Sequence, residues 1–214
     1  MEPTFSDRLI YFLTGTSPYV KYLEEQRLID PLTKLWNRGA FNLRLEAVTH
    51  DRRKGPRIKI TNERSEGNPD RRENQLELIL TIGDIDDFKK INDNYGHPAG
   101  DIVLIEYADR LRNLLRNIEN QIFRIGGEEF GIISVTSADP MVISDRLVAG
   151  INSKKFVIDD GREIDVTTSL GMAVYNPKEP VSSEEFYKTA DQMLYISKNT
   201  GKNKATIWDT KQII

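Results

Sequence analysis

The sequence of 214 residues contains no cysteine and no long apolar run. Without cysteine the chain can form neither a disulfide nor a zinc site built on thiolates, and a reducing compartment suits it. The longest apolar run near the start covers residues 9–13, whereas a membrane span needs ~20 residues. That run also lacks the basic segment and the small-residue cleavage site of a signal peptide. We therefore predict a cytoplasmic protein with no membrane segment.

Neither sign of charge dominates. The 30 lysine and arginine residues are balanced by 33 aspartate and glutamate residues, for a formal net charge of -3. A nucleic-acid-binding domain usually carries a basic excess, so nucleic acid is not an expected partner. The length suits one domain with a sizeable core and an extension. We place the extension, with a helix that could mediate dimerisation or act as a linker, at 1–29 and the domain at 30–214.

The spacing of apolar residues alternates between helical and strand periods. It predicts helices at 19–29, 33–50, 99–117, 140–152 and 182–198, and strands at 76–82, 121–124, 129–135 and within 164–175. Ser182 and Glu185 fit a capping box at the start of the last helix, and Gly201 fits its end. This order is typical of an α+β fold, with a central, mostly antiparallel sheet flanked by helices.

Residues 51–75 separate the second predicted helix from the first predicted strand. They mix basic and acidic side chains with two prolines and two glycines, which indicates a long mobile loop. A basic interaction patch is the alternative. The interspersed acids favour a solvated loop over such a patch.

An acidic motif follows the first predicted strand, and at 84–89 it reads DIDDFK. Carboxylates at the end of a strand, beside a turn, can hold a hard divalent cation. Taken alone, Asp84 also fits the simpler role of a helix N-cap. An EF-hand calcium loop is excluded, because the positions that need glycine and glutamate hold Lys89 and Tyr95.

A second motif, GGEEF at 126–130, lies between the two strands of a predicted hairpin. We expect Gly126 and Gly127 to supply the positive φ angles of a tight hairpin and to let a phosphate approach the backbone. A plain hairpin with solvated acids is the alternative. If the hairpin and the strand before Asp84 are neighbours in one sheet, Asp84 and Glu128 could share one or two Mg²⁺ ions. Such a site suits nucleotidyl transfer, which needs an attacking hydroxyl, a clamped triphosphate and a neutralised leaving group.

Together with four further stretches in the same order, these motifs resemble the GGDEF family of diguanylate cyclases, in the GGEEF spelling. The matching stretches are DPLTKLWNR at 30–38, DIDDFK at 84–89, INDNYGHPAGD at 91–101, RIGGEEF at 124–130, SLGMA at 169–173 and the segment 190–203. The resemblance covers about residues 30–207. It implies a nucleotidyl-cyclase core of the palm-like, ferredoxin type. It also implies the condensation of two GTP molecules into cyclic di-GMP and two pyrophosphates.

The resemblance further implies roles for individual residues. Asp84, the Ile85 carbonyl, Glu128 and Glu129 would bind Mg²⁺ or Mn²⁺. The two glutamates would be catalytic, and Glu128 is the one most closely tied to activation of the 3′-hydroxyl. The residues implied in GTP binding are Phe88, Lys89, Asn92, His97, Asp101, Gly126, Gly127, Lys198 and Lys202. Within that set, Asn92 and Asp101 would read the guanine edge, and the lysines would hold the triphosphate.

Two places depart from the family pattern. Lys202 stands where the family usually has arginine, and so keeps the charge but loses the bidentate geometry. Asn117 and Asn120 stand where many members carry the arginine and aspartate of a product-inhibition site, so we expect the usual feedback inhibition to be absent. Without the resemblance, Lys198 and Lys202 would fit an ordinary basic helix end.

A symmetric product made from two GTP molecules implies a homodimer in which each domain binds one GTP. A sensor domain or protein upstream would be a further partner. The alternative function is a catalytically silent module that binds GTP or cyclic di-GMP, and the retention of Asp84, Glu128 and Glu129 argues against it. A mixed-purine product is disfavoured, because Asp101 can accept hydrogen bonds from the N1–H and amino groups that guanine offers.

Overall fold

The computed structural model describes residues 27–53, 76–116, 119–159 and 161–209, which form a six-stranded sheet with helices on both faces and a small ribbon. The strands are β1 (Trp36–Asn37), β2 (Glu77–Ile85), β3 (Glu119–Arg124), β4 (Glu129–Thr136), β5 (Phe156–Val157), β6 (Glu163–Ile164), β7 (Thr168–Val174) and β8 (Ala205–Trp208). The helices are α1 (Arg38–Arg53), α2 (Phe88–Tyr95), α3 (His97–Leu115), α4 (Pro140–Asn152) and α5 (Ser183–Asn199).

The sheet has the strand order β1-β3-β4-β2-β7-β8. Its inner pairings, β3 with β4, β4 with β2 and β2 with β7, are antiparallel. The two outer pairings, β1 with β3 and β7 with β8, are parallel. Strands β5 and β6 form a separate two-stranded ribbon. The architecture is α+β, with a mixed sheet flanked by helices, which confirms the predicted fold class.

Strand β2 runs through the middle of the sheet and is buried on both faces. Leu78, Leu80 and Ile82 belong to the core under α1 and α5, whereas Ile79 belongs to the core under α2, α3 and α4. Successive side chains of a strand point to opposite faces, so a strand covered on both sides needs a nearly continuous apolar run. Asp84, the first acid after this run, therefore sits near the end of a firmly held strand.

The helix predicted at 33–50 is wrong at its start, because α1 begins only at Arg38. Asp30 Oδ1 accepts hydrogen bonds of 2.7 Å from both the amide and the hydroxyl of Thr33, and Lys34 has a left-handed φ of 58°. These features form a turn, and residues 36–37 then pair with β3. Short polar side chains that bond to nearby backbone compete with helix formation, and the strand pairing depends on a tertiary contact.

Helix α2 is absent from the sequence prediction. It has eight residues, of which Phe88 and Ile91 are buried, so it is too short for a helical period to stand out. Asp87 before it and Gly96 after it have positive φ angles of 55° and 84°. Left-handed residues interrupt a right-handed helix, which is why α2 is a separate short helix between β2 and α3.

The other predicted elements agree with the structure to within a few residues at each end. Helix α4 spans the predicted range, and both hairpin strands are present. The capping box of α5 is formed: Ser182 Oγ accepts from the Glu185 amide at 3.1 Å, and Glu185 Oε2 accepts from the Ser182 amide at 2.9 Å. Gly201, just past the helix end, has a φ of 115°.

Some predictions fall outside the described residues. These are the whole of 1–26, including most of the helix predicted at 19–29, and positions 54–75 of the predicted loop. At the described end of the first segment, residues 27–28 form a turn and Ile29 pairs with Trp36, so the helix does not extend to residue 29. Among the helices that the structure describes, none is both long and apolar enough to cross a membrane.

Candidate active site

The two acidic motifs meet at one end of the sheet. In register, Asp84 of β2 lies between Glu129 of β4 and Ser169 of β7. The Ile85 amide donates a hydrogen bond to the Glu128 carbonyl at 3.3 Å, so the tip of the hairpin is attached to the end of β2. The strands are therefore neighbours in one sheet, which is the condition that the hypothesis of a shared metal site required.

The φ angles of the two glycines at the hairpin tip differ from the sequence-based prediction. Among the described glycines, the positive φ angles belong to Gly96, Gly161 and Gly201, so the expectation of positive φ at Gly126 and Gly127 is wrong. Instead the amides of Ile125 and Gly126 donate to the Glu129 carbonyl at 2.9 and 3.2 Å and close the tip.

The space around the two glycines differs. A Cβ on Gly126 would overlap the folded-back carboxylate of Glu129, whereas a Cβ on Gly127 would meet no described atom within 4 Å. The backbone at Gly127 is therefore open to close approach, as a phosphate group requires.

Arg124 ties the hairpin tip to the turn before β1. Its Nε and Nη2 donate to the Gly127 carbonyl at 3.1 and 2.8 Å, and its Nη1 lies 3.2 Å from Asp30 Oδ1. Burial works to raise the pKa of Asp30, but hydrogen bonds from Thr33 and the charge of Arg124 outweigh it, so the pKa is lowered. The sequence indicated this role for neither Asp30 nor Arg124, since 94 positions separate them.

Replacing Asp30 with asparagine is expected to cost about 1 kcal/mol of folding free energy at pH 7, because Arg124 loses its charged partner. A pKa lowered by folding adds stability above the unfolded value near 3.8, and that stability is lost as the pH falls through the lower folded value. The difference in free energy of unfolding between Asp30→Asn and wild type should therefore shrink below pH 3.8. Urea unfolding at several pH values measures it. A constant difference across this range would show that charge is not the cause.

Asp84 is the buried acid of the site, with 6% of its surface exposed. Lys198 Nζ lies 2.8 Å from its Oδ2. Burial is the main cause that raises the pKa of Asp84 to about 6; Lys198 opposes the rise, and the charges of Glu128 and Glu129 add to it. Three carboxylates therefore act on one another at this point, and a lysine partly compensates them.

Close packing of α5 on the sheet explains why Lys198 reaches Asp84. A Cβ on Gly171 of β7 would overlap the Ala190 carbonyl and the Leu194 amide of α5. One turn further on, Ser197 Oγ donates to the Leu170 carbonyl at 2.8 Å. The helix thus rests directly on the backbone of β7, and its last turn lies over the end of β2.

A second lysine lies beside the same strand end. Lys202 Nζ is 2.9 Å from Asp87 Oδ1, and Lys90 Nζ is 2.8 Å from the same oxygen. The hydrogen bonds from Lys90 and Lys202 lower the pKa of Asp87, and the bond to Asp87 raises the pKa of Lys202. Lys198 and Lys202, two of the three lysines that the sequence assigned to the triphosphate, therefore lie next to the acidic motif.

The residues assigned to the guanine base form a second group. A Cβ on Gly100 of α3 would overlap Asn92 Oδ1 of α2 and lie 3.2 Å from Phe88 Cζ. The contact brings Asn92 beside the helix turn that carries Asp101. Phe88 is buried in the core, so only its backbone can face a ligand. Lys89 and His97 are exposed, and their roles stay predictions.

The donor set suits a hard divalent cation, although its side chains are not arranged around one. Among the residues that the structure describes, no group of three acidic or histidine side chains stands at metal-ligand spacing. The charges of Glu128 and Glu129 nevertheless act on the buried carboxylate of Asp84. Carboxylate and carbonyl oxygens are the ligands that Mg²⁺ uses, and a cation would relieve this repulsion. The residues present therefore fit the metal that the sequence predicts.

Comparison with known families agrees with this geometry. A family model described as "Diguanylate cyclase, GGDEF domain" matches residues 27–204. The chain belongs to the GGDEF family. The resemblance stated from the sequence motifs is thereby confirmed.

Curated relatives are longer than this GGDEF domain. It is 38% identical to Diguanylate cyclase A of Treponema denticola over 132 residues, which cover 61% of this chain and 35% of that protein. It is 35% identical to an uncharacterized membrane protein of Staphylococcus aureus over 129 residues, which cover 59% of this chain and 36% of that protein. The chain thus spans about a third of the length of these relatives.

Solved structures share the fold. A form of TpbB (YfiN) from Pseudomonas aeruginosa comprising only the GGDEF domain has 28% identity and a TM-score of 0.68, over 85% of this chain and 94% of that one. Diguanylate cyclase SiaD of the same organism, solved with its activator SiaC, has 25% identity and a TM-score of 0.70, over 95% and 69%. The coiled coil and GGDEF domain of DgcB from Caulobacter crescentus, with c-di-GMP, has a TM-score of 0.72 over 95% of both chains, and its 24% identity shows the fold alone.

Proposed function

We propose that this GGDEF domain is a diguanylate cyclase, which joins two GTP molecules into cyclic di-GMP and releases two pyrophosphates. The observation that carries the proposal is the meeting of Asp84 with the hairpin acids Glu128 and Glu129, beside the ammonium group of Lys198. Nucleotidyl transfer needs oxygen ligands and phosphate-binding cations at one point. A module that only binds nucleotide gains nothing from three acids that repel one another there.

In the proposed reaction, the 3′-hydroxyl of each GTP attacks the α-phosphorus of the other. Two phosphoester bonds form, and two bonds to pyrophosphate break. Glu128 would take the proton of the attacking hydroxyl, while Lys89, Lys198 and Lys202 would hold the triphosphate. Asp101 would accept hydrogen bonds from the N1–H and amino groups of guanine, and Asn92 would bind the same edge, which selects GTP.

Asp84, the Ile85 carbonyl, Glu128 and Glu129 would hold Mg²⁺ or Mn²⁺. Such an ion, when bound, polarises the α-phosphate and neutralises the leaving pyrophosphate. The open backbone at Gly127 leaves room for phosphate oxygens, and Phe88 with the amides around it would bind the terminal phosphates. Since each GTP must reach the other, two domains would face each other about a two-fold axis, and activity should rise steeply with protein concentration.

A cytoplasmic location and control by a sensor domain or protein complete the proposal. The SiaD–SiaC structure is of a diguanylate cyclase with its activator, which supports control of this kind in the family. The absence of feedback inhibition stays a prediction, because residue 117 and the side chain of residue 120 lie outside the described residues.

Replacing Glu128 with glutamine tests the proposal. Glutamine keeps the volume of the side chain and leaves the backbone bond to Ile85 in place, but it can neither take the proton nor ligate a cation as a carboxylate does. We expect cyclic di-GMP formation to fall by about 10²–10³-fold. Nucleotide analysis by chromatography and mass spectrometry, after incubation with GTP and Mg²⁺, measures the product.

The matched control is Asp109→Asn, which neutralises an exposed acid paired with Arg112 on the surface of α3. This variant should form product at the wild-type rate. If wild-type protein at high concentration forms none, the enzyme proposal is wrong. Calorimetric titration with GTP and with cyclic di-GMP would then decide whether the domain is the silent binding module.

A further inference from the structure

Asp86 shares the acidic motif with Asp84 but faces a different part of the molecule. Only 6% of its surface is exposed. Its Oδ1 accepts from Ser169 Oγ at 2.6 Å, and its Oδ2 accepts from Thr167 Oγ1 at 2.7 Å and from the Asn203 amide at 3.0 Å. Three donors therefore use most of the acceptor capacity of this carboxylate. They direct it toward β7 and the chain after α5 rather than toward the hairpin acids.

The segment that Asp86 holds has an unusual backbone. Lys202 and Asn203, between α5 and β8, have positive φ angles of 60° and 49°. Consecutive left-handed residues that are not glycine are uncommon, and they persist only where their surroundings hold them. The Lys202 amide donates to the Ser197 carbonyl at 3.0 Å, and the next amide, that of Asn203, donates to Asp86.

The same acidic motif also contacts the other end of Lys202. The ammonium group lies 2.9 Å from Asp87 Oδ1, one residue after Asp86. Asp86 therefore anchors the backbone just after Lys202, and Asp87 lies beside the ammonium group of Lys202. If the bond from the Asn203 amide is lost, only the Lys202 amide and the Asn152 side chain, which donates to Asn203 Oδ1, still hold the turn among the described residues. The left-handed backbone can then relax, and the ammonium group of Lys202 is held less firmly in position.

We propose that Asp86 is a positioning residue for the triphosphate: through the Asn203 amide it fixes the left-handed turn that presents Lys202. Asp84 would thus bind the metal, whereas Asp86 would position Lys202, the lysine that follows α5. The inference rests on the proposed function, in which Lys202 binds the triphosphate.

The test compares the binding of two guanine nucleotides by the full chain. One is a GTP analogue with a methylene bridge between the α- and β-phosphorus atoms, which cannot react, and the other is GMP, which lacks the triphosphate. Asp86→Ala should lower affinity for the analogue about tenfold, since a charged hydrogen-bond acceptor is lost, and leave affinity for GMP within about twofold. Asp86→Asn keeps the volume and one acceptor oxygen, so its loss for the analogue should be smaller.

Two further measurements separate positioning from general damage. Hydrogen exchange at the Asn203 amide should speed up in both Asp86 variants, because its acceptor is removed or weakened. Ser144→Ala is the control: it removes a buried hydroxyl that donates to the Met141 carbonyl at 2.8 Å in α4, away from the turn. This variant should leave both affinities unchanged.

Parallel losses for the analogue and GMP would overturn the proposal, and so would unchanged affinity for the analogue. If Asp86→Ala fails to fold, Asp86→Asn decides by the same criteria. The assay of wild-type protein with GTP separates the two proposals. If wild-type protein forms product but the Asp86 variants show no selective loss of affinity for the analogue, the positioning proposal is wrong and the cyclase proposal stands. A selective loss without product formation refutes the cyclase proposal and leaves positioning standing.

Discussion

Asp84→Asn is expected to reduce cyclic di-GMP formation by at least about 10³-fold while making the folded domain more stable at pH 7. The loss of activity follows from the loss of the buried carboxylate that would ligate the metal. The gain in stability follows from the same burial, which is the main cause that raises the pKa of Asp84 to about 6. Asparagine occupies the same space without a charge that must be desolvated.

The pH dependence gives the sign of the effect. The pKa of Asp84 rises from 3.8 in the unfolded chain to about 6 in the fold, so the fold favours the protonated acid. The protonated Asp84 side chain therefore contributes stability that is fully present below pH 3.8 and is lost as the pH rises through about 6. At pH 7 we therefore expect the free energy of unfolding of the asparagine variant to exceed that of wild type by about 1–2 kcal/mol.

Denaturant unfolding without divalent metal, at pH 7 and pH 4, measures this difference beside the nucleotide assay. The stability gained by the variant should be present at pH 7 and nearly absent at pH 4. Asp109→Asn, with its exposed acid, should change neither activity nor stability. A variant less stable than wild type at pH 7 would mean that the ion pair with Lys198 outweighs the burial of the charge.

Gly171→Ala is expected to have the largest effect on stability, and it acts through α5. The new Cβ would overlap the backbone of Ala190 and Leu194, which cannot move aside as the end of a flexible side chain can. We expect a loss of about 2–4 kcal/mol in folding free energy. In the fraction that folds, we expect a roughly 10²-fold loss of activity, because a 1 Å displacement of a binding group has about that effect. Lys198, at the end of the same helix, is the group displaced.

Gly127→Ala is the comparison variant, because its Cβ would meet no described atom within 4 Å. Its stability should stay within about 0.5 kcal/mol of wild type, while its activity falls because the methyl group occupies the space that a phosphate would approach. Thermal unfolding and the nucleotide assay on both variants test the contrast. Wild-type stability of Gly171→Ala would show that α5 can move off the sheet, and would remove the explanation of how Lys198 is placed.

Much of the site could be predicted because it consists of local patterns. The aliphatic run of β2 and the acids that follow it mark the end of a buried strand. The glycines between two short β-rich stretches mark a hairpin tip. The glycines also show where such reasoning stops. A Gly-Gly pair usually indicates positive φ, but here Gly126 leaves room for the Glu129 side chain and Gly127 leaves the backbone open.

The sequence by itself determined the inner strands, the three longer helices after β2 and the acids at the strand ends, since each depends on residues within a few positions of one another. Only the tertiary structure decided which parallel strands flank the sheet, which groups Asp86 contacts, and what Arg124 holds. The bond from Asp86 to Asn203 spans 117 positions, and that from Arg124 to Asp30 spans 94. Contacts of this kind produce no periodic pattern in the sequence, because they form only when the sheet and α5 bring distant residues together.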